Sequence, residues 1–303
     1  MFRLEARTST PAWFNLALPL LAIAATLILC SGLIALAGAG VIEAYGVMLS
    51  ASLGDSYAIT ETLVRAAPMI FTGLAVAVAF RAKFWNIGAE GQLLAGAVAS
   101  CAVGAIPMPG PLAMLLMALA GAAAGAAVAL VPATLRVKFK VDDVVSSLLL
   151  NSVIYYALMA LIEGPWKDSF SGYPISPPIE DSANFPVLIE GTRLHLGVIV
   201  ALIAAPLIWF LIARTTLGFR ISVTGENPEA ARYGGIHVER VLLSTALLSG
   251  ALAGVAGVGE VGGVHFQVMR DISPGYGDSG IVLAILGRRK LQGVLREATF
   301  LAA

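Results

Sequence analysis

"TSTPAWFNLALPLLAIAATLILCSGLIALAGAGVI", residues 8 to 42, runs for 35 positions without a charged side chain, and Arg3 and Arg7 stand just before it. A cleavable export signal has an apolar region of only about 7–15 residues, whereas about 20 helical residues cross the hydrocarbon core of a bilayer. The stretch therefore reads as a retained first membrane span.

The same texture recurs outward from it. Apolar runs occupy about 60–80, 88–106, 111–132, 144–162, 195–213 and 241–262, and a shorter one occupies 278–287. These give seven spans and an eighth, shorter candidate. The 303-residue chain is 58% hydrophobic and 13% charged, with a mean hydropathy of +0.86, against roughly 25% charged residues in soluble domains. Alternating ten-residue segments, the mark of a membrane barrel, are absent, so the backbone must satisfy itself within helices. The expected fold is all-α, a polytopic transmembrane helix bundle of about 7–8 spans forming one domain over 1–303.

Net charge is zero, from 19 basic and 19 acidic residues, so composition gives no sign of a nucleic-acid partner and the placement of charge carries the information. With the N-terminus cytoplasmic, the inner segments hold Arg3, Arg7, Arg81, Lys83, Arg136, Lys138, Lys140, Arg214, Arg220, Arg232, Arg240, Arg288, Arg289, Lys290 and Arg296. The outer segments keep Lys167, Arg193 and Arg270, and Arg65 lies inside the second span. Fifteen against three is the asymmetry of a membrane protein with its N-terminus inside. The long extracytoplasmic loop, 163–194, carries Pro165, Pro174, Pro177, Pro178 and Pro186, which deny it regular helix, and Trp166, Phe170 and Tyr173, which suit interface anchoring or a docked partner.

Catalytic constellations are missing. His195, His237 and His265 fall at separate loops or span ends, and the sequence has no HExxH, CxxC, GxxxxGK[ST] or GxSxG. No metal site, no cofactor and no catalytic residue is expected, and no loop of this chain cradles ATP phosphates. Cys30 and Cys101 lie in apolar runs and read as small core residues. Gly121 and Gly125 form a GxxxG in an Ala-rich span, which permits close helix contact without specifying a dimer face.

Three polar stretches interrupt this background. In "FWNIGAEGQLLAGA" (84–97), Asn86 suits a helix N-cap and Glu90 the positive end of the helix dipole. Alternatively, Asn86, Glu90 and Gln92 line a polar path. In "VDDVVSSLLLNS" (141–152), Asp142 and Asp143 start a helix at the inner face while Ser146, Ser147 and Asn151 run into the membrane. Asn151 there bonds either a neighbouring helix or a polar solute. In "GENPEAARYGGIHVER" (225–240), Asn227 is a good N-cap, Pro228 suits the first helical position, Glu229 sits in the first turn, and Gly234 with Gly235 gives a stop. A helix of two turns is marginal alone and needs a surface to dock on.

Three segments carry a family resemblance: "TLVRAAPMIFTGLAVAVAFRAKFWNIGAEGQLLAGA" (62–97), "VDDVVSSLLLNSVIYYALMALIEGPWKD" (141–168) and "TTLGFRISVTGENPEAARYGGIHVERVLLSTALLSGALAGVAGVGEV" (215–261). The chain resembles the integral-membrane permease subunits of ABC importers for simple sugars and nucleosides, a group that includes branched-chain amino acid permeases. The "LIEGPWKD" segment is similar to the nucleoside type. The resemblance implies a bacterial inner-membrane protein, a second permease subunit (the same chain or another), cytoplasmic ATPase subunits that hydrolyse the ATP, and an extracytoplasmic solute-binding protein. It implies that the cytoplasmic loop 214–240 is the coupling loop, with Gly225, Asn227, Pro228, Glu229, Ala230, Ala231, Arg232 and Gly235 meeting the ATPase. Small Ala230 and Ala231 would allow close approach, and Glu229 and Arg232 would pair with the partner. The substrate-path candidates are Asn86, Glu90, Gln92, Ser147 and Asn151. The implied solutes are nucleosides, then ribose- or galactose-type sugars, then branched-chain amino acids. A secondary transporter or channel is the alternative, for which the sequence offers only Glu90 as a gating carboxylate. The family continues to about ten spans, whereas after "DSGIVLAILGR" this chain reads "RKLQGVLREATFLAA". An atypical, truncated C-terminus is therefore expected over 288–303.

Overall fold

A computed structural model describes residues 14–168, 172–287 and 298. The chain divides into two compact units, residues 1–58 and 59–303. In the first, α1 (Phe14–Leu36) and α2 (Val41–Leu53) are joined by a turn and bend by 118° between Ile23–Leu36 and Val41–Leu53. The charge-free run of the sequence therefore breaks instead of continuing as one rod. Gly38 supplies the reason, since its φ of +79° lies in the left-handed region that an L side chain resists. The Tyr45 hydroxyl ties the pair together by donating to Leu27 O at 2.5 Å.

The second unit comprises most of α3 (Ser56–Arg81) and α4 (Ala89–Gly104), α5 (Gly110–Phe139), α6 (Asp143–Glu163), α7 (Leu196–Arg214), α8 (Thr216–Glu226), α9 (Pro228–Tyr233), α10 (Val238–Glu260) and α11 (Tyr276–Leu286). A π-helical turn, Val261–His265, extends α10. The described residues contain only two isolated β-bridges outside the helices, Ile175 with Met269 and Val187 with His195. The architecture is the all-α polytopic bundle that the apolar runs imply.

Among the described residues five helices are long and apolar enough to cross a bilayer, α3, α5, α6, α7 and the continuous α10 with its π turn, and the bent α1–α2 pair makes a sixth when it is counted as one span. The runs at 88–106 and 278–287 are helical but contain helices of only 16 and 11 residues. At 1.5 Å per residue these reach about 24 and 17 Å, short of a hydrocarbon core of about 30 Å. The most apolar stretch of α3 is 83% buried, against 28%, 22% and 33% for α5, α6 and α7. The first is thus an inner post, and the other three keep broad sides for lipid.

Small residues make the centre. A Cβ on Gly125 of α5 would lie 2.2 Å from Gly250 O of α10, and one on Gly254 of α10 would lie 2.1 Å from Gly121 O. The GxxxG of α5 is thereby consumed inside the chain. Without a hydrophobic drive between helices in lipid, such backbone contact supplies the dispersion that holds them. Ala97, Ala129, Ala246 and Ala253 are fully buried in the same core.

The outer loop folds back as a cover. Ser176 N donates to Val268 O, Ile179 N to Phe266 O, Phe185 N to Gly262 O and Glu180 N to Gly104 O. The loop thus satisfies the outer ends of α4 and α10 with its own backbone. Tyr173 is 68% exposed, and Trp166 packs against the core. Phe170 lies outside the described residues, as does the tail expectation for 288–303 apart from Ala298. The loop closes on His195, the N-cap of α7, whose Nδ1 accepts from Gly197 N at 3.1 Å. Burial pushes the His195 pKa down to about 4. Cys101 is buried with Sγ 3.3 Å from Ser176 Oγ.

Candidate functional site

Residues 82–88 leave α3 and reach α4 as non-helical backbone, yet Phe84 and Asn86 are completely buried. Every backbone polar group at such a position needs a partner. The start of α6 provides them. Asp143 Oδ2 accepts from Trp85 N at 2.6 Å and pairs with Arg136, whose Nη1 donates to Lys83 O at 2.7 Å. Ser147 Oγ accepts from Ile87 N at 3.1 Å. The Asn151 amide spans two residues of the path, donating to Ile87 O at 3.0 Å and accepting from Gly91 N at 2.9 Å. Asp142 caps α6, as the sequence indicates, accepting from Val145 N.

Asn86 and Gln92 form a reciprocal amide pair at 2.8 and 3.0 Å. Asn86 Nδ2 also donates to Ser249 Oγ, which donates to Ala75 O. Its Oδ1 accepts from Gly88 N, while α4 itself begins after Gly88 without a side-chain cap. Asn86 thus braces the turn before the helix and links α3, α4 and α10.

Helix arithmetic fixes the depth of this junction. Ser249, Asn151 and Thr72 lie 11, 8 and 9 positions from Val238, Asp143 and Arg81 at the ends of α10, α6 and α3, which is about 12–16 Å at 1.5 Å per residue. A bilayer core is about 30 Å thick, so α4 starts near half depth. The first turn of α11 meets it there. Gly277 N donates to Glu90 Oε2 at 2.6 Å, and Thr72 Oγ1 donates to Tyr276 O at 2.8 Å. A Cβ on Gly277 would sit 2.2 Å from Glu90 N, so only glycine lets the two helix starts touch. Two helix N-termini, each with a positive dipole end, converge on one carboxylate.

A cavity of about 320 Å3 opens beside this contact, lined by Glu90, Leu94, Leu148, Asn151, Ser152, Tyr155, Tyr156, Arg270, Ser273 and Asp278. Ser273 hydrogen-bonds to Glu90. Arg270, on the loop before α11, is hydrogen-bonded to Tyr155, which pushes the guanidinium pKa up. Tyr155 and Tyr156 lie edge to face with centroids 5.7 Å apart. Of the five substrate-path candidates, Glu90 and Asn151 face this cavity. Asn86, Gln92 and Ser147 have at most 1% of their surface exposed and bond to the protein itself. Arg270, Ser273 and Asp278 were not legible as site residues, because α11 and its preceding loop are remote in sequence from α4 and α6, and Tyr155 and Tyr156 of α6 stand in an apolar run that gives aromatics no distinct signal.

The connector between α7 and α10 is built differently. Asn227 Oδ1 accepts from Glu229 N and Ala230 N, Pro228 opens α9, and Gly235 takes a φ of +79° after it, the pattern of caps expected there. The preceding helix α8 was not anticipated; its one local signal is Thr215, whose Oγ1 accepts from Gly218 N. Gly225 is buried, with its missing Cβ only 2.0 Å from Arg81 O. Arg81 Nε donates to Ser222 Oγ and Lys83 Nζ to Glu226 O. The connector is thereby anchored on the residues that begin the buried path to α4. Pro228, Glu229 and Ala230 are exposed, whereas Ala231 is 1% exposed and turned into the core. Arg232 pairs with Glu239 of its own chain at 2.6 Å. Tyr233, which the sequence reading passed over, is 99% exposed at the end of α9.

A multi-pass bundle with two helix starts meeting inside it, a polar cavity open on the flank of α6 and an exposed connector helix is the architecture of a membrane permease. The chain belongs to the branched-chain amino acid transport system / permease component family, whose model matches residues 58–302. It is 36% identical to a glucose ABC transporter permease protein of Haloferax volcanii, over 99% of this chain and 82% of that one. It is 34% identical to a guanosine ABC transporter permease protein of Bacillus subtilis, over 95% and 84%, and 30% identical to a nucleoside ABC transporter permease protein of Lactococcus lactis, over 92% and 80%. No solved structure matches. The protein is a multi-pass membrane permease subunit of the ABC transporter class.

Proposed function

We propose that this permease translocates nucleosides, delivered by an extracytoplasmic binding protein and driven by separate cytoplasmic ATPase subunits, through a path that includes the half-depth cavity. The observation that carries the substrate class is the lining of that cavity. Tyr155 and Tyr156 offer π faces for a base, while Asn151, Ser152, Ser273 and Glu90 offer amide, hydroxyl and carboxylate partners for a ribose. The guanosine and nucleoside permease relatives support the same choice. Simple sugars are the second reading, favoured by the glucose permease relative.

The coupling role falls to α9 and its flanks: Gly225, Asn227, Pro228, Glu229, Ala230, Ala231, Arg232 and Gly235, with Tyr233 added. Asn227, Pro228 and the glycines shape the helix, Ala231 seats it, and Glu229, Ala230 and Tyr233 present it to an ATPase. A push on α9 acts on α8 at Gly225, therefore on Arg81, and through the five residues to Asn86 on the start of α4. Two copies, or this chain and a second permease, enclose the path.

The test is uptake by proteoliposomes holding the permease with its cognate ATPase and binding protein. Labelled guanosine is expected to accumulate with ATP, and Tyr155→Ala/Tyr156→Ala to slow it about tenfold or more, stacking on one aromatic being worth about 1–3 kcal/mol. Uptake of glucose without guanosine moves the assignment to sugars, and unchanged uptake in the double variant removes the cavity from the path.

A further inference from the structure

A second cavity, of about 520 Å3, lies at the cytoplasmic end of α10, between α8 and the connector that follows α9. It is lined by Leu217 and Arg220 of α8, the connector Gly234–His237, and Arg240, Val241 and Ser244 of α10. Two guanidinium groups and an imidazole thus share one opening with no carboxylate in its lining. Among the described residues neither arginine has an ion-pair partner; the carboxylate nearest in sequence, Glu239, is held by Arg232. Arg136 pairs with Asp143 and Arg193 with Glu61, whereas Arg220 and Arg240 face one cavity without such a partner. A concave, uncompensated pair of guanidinium groups selects an anion with several oxygens, a phosphate above all.

The surroundings specify which phosphate. Leu217, Ile236 and Val241 form an apolar floor behind the cations. On α10 the face carrying Arg240 and Ser244 continues at helical spacing to Leu247, which is 41% exposed, and Phe219, next in sequence to Arg220 on α8, is 63% exposed. A charged mouth therefore leads onto apolar surface that runs toward the membrane core. A free ion uses only the mouth, whereas a phospholipid uses both parts, and basic pockets on the cytoplasmic side of helix bundles hold anionic head groups.

We propose that the cavity of Arg220, His237 and Arg240 binds the phosphate head group of an anionic phospholipid from the inner leaflet, with an acyl chain along Leu247. The site abuts the Gly234–Gly235 turn that ends α9, so an occupied cavity braces that turn from behind. Its binding is independent of the solute the permease carries.

The test uses the full-length permease purified in detergent. Its affinity for phosphatidylglycerol and phosphatidylcholine is measured by lipid titration and native mass spectrometry. Wild type is expected to prefer phosphatidylglycerol. Arg220→Gln/Arg240→Gln is expected to lose roughly thirtyfold of that preference, at about 1 kcal/mol for each basic residue, while Arg220→Lys/Arg240→Lys retains most of it. Lys138→Gln/Lys140→Gln removes the same charge from the same face outside the cavity and is expected to change it little. A preference that survives the Gln pair, or falls equally in the Lys138/Lys140 variant, overturns the proposal. Millimolar inorganic phosphate that abolishes the preference assigns the cavity to the free ion and also overturns it. So does a Gln pair that keeps its lipid but no longer binds the ATPase, since the cavity then serves the partner protein.

Discussion

Residues 82–92 and residues 225–240 are both polar, glycine-bearing interruptions between apolar runs, and they end in opposite environments. In the first, Asn86 and Gln92 are sealed inside the bundle together with Ser147 of α6, and all three spend their hydrogen bonds on the chain itself. In the second, the caps are satisfied locally but Glu229, Ala230 and Tyr233 stand in the open. The difference teaches that polarity within a membrane chain has two uses. A buried polar cluster fixes non-helical backbone where water cannot, and an exposed one caps a short helix that leaves its side chains on the surface.

Asn86→Leu probes the buried side hardest. It strips partners from Ser249, Gln92 and Gly88 N together, and a loss of about 3 kcal/mol or more is expected from several buried groups left unpaired. The readout is thermal unfolding in detergent; a melting temperature within a degree or two of wild type would mean the junction is not a structural brace. Tyr233→Ala probes the exposed side. Its melting curve should match wild type while affinity for the ATPase falls by about 2 kcal/mol, roughly thirtyfold, as for an aromatic anchor. Equal ATPase binding by the two proteins would remove Tyr233 from the interface and blur the contrast.

A smaller effect concerns pH. His195 has a folded pKa of about 4, below the ordinary 6.5, so the unfolded chain takes up its proton first as pH falls. Stability attached to neutral His195 is complete above pH 6.5 and is lost as pH falls from there toward 4, on the order of 1 kcal/mol being gone already at pH 6. His195→Asn retains a capping acceptor without titrating, so its stability should decline less across that window; parallel pH profiles would break the assignment. The smallest change is Thr72→Val, which removes the bond to Tyr276 O at little change of shape. About 1 kcal/mol of local stability should go, seen as roughly fivefold faster hydrogen exchange at Gly277 N. Unaltered exchange there would separate the start of α11 from α3.

Much of this architecture was legible. The apolar runs give the long helices α3, α5, α6, α7 and α10, and the caps of α6 and α9 fall at Asp142 and Asn227 as local chemistry demands. The run at 8–42 and the GxxxG of α5 were less so. The first breaks at Gly38, and the second packs against Gly250 and Gly254 more than a hundred residues away. Within the candidate site, Glu90 and Asn151 were visible as polar residues in apolar context, but the cavity they share with Tyr155, Arg270, Ser273 and Asp278 was not.

By itself the sequence determined membrane residence, the helical class and the caps that shape α9, because composition and capping act over a few residues or over whole spans. The tertiary structure alone decided that α4 starts at half depth, that Asn86 and Gln92 are braces, that Glu90 meets Gly277 across 187 positions, and that Ala231 faces inward while Tyr233 faces out. Those outcomes depend on which distant backbone supplies each buried donor or acceptor with its partner, and that is settled only when the helices pack.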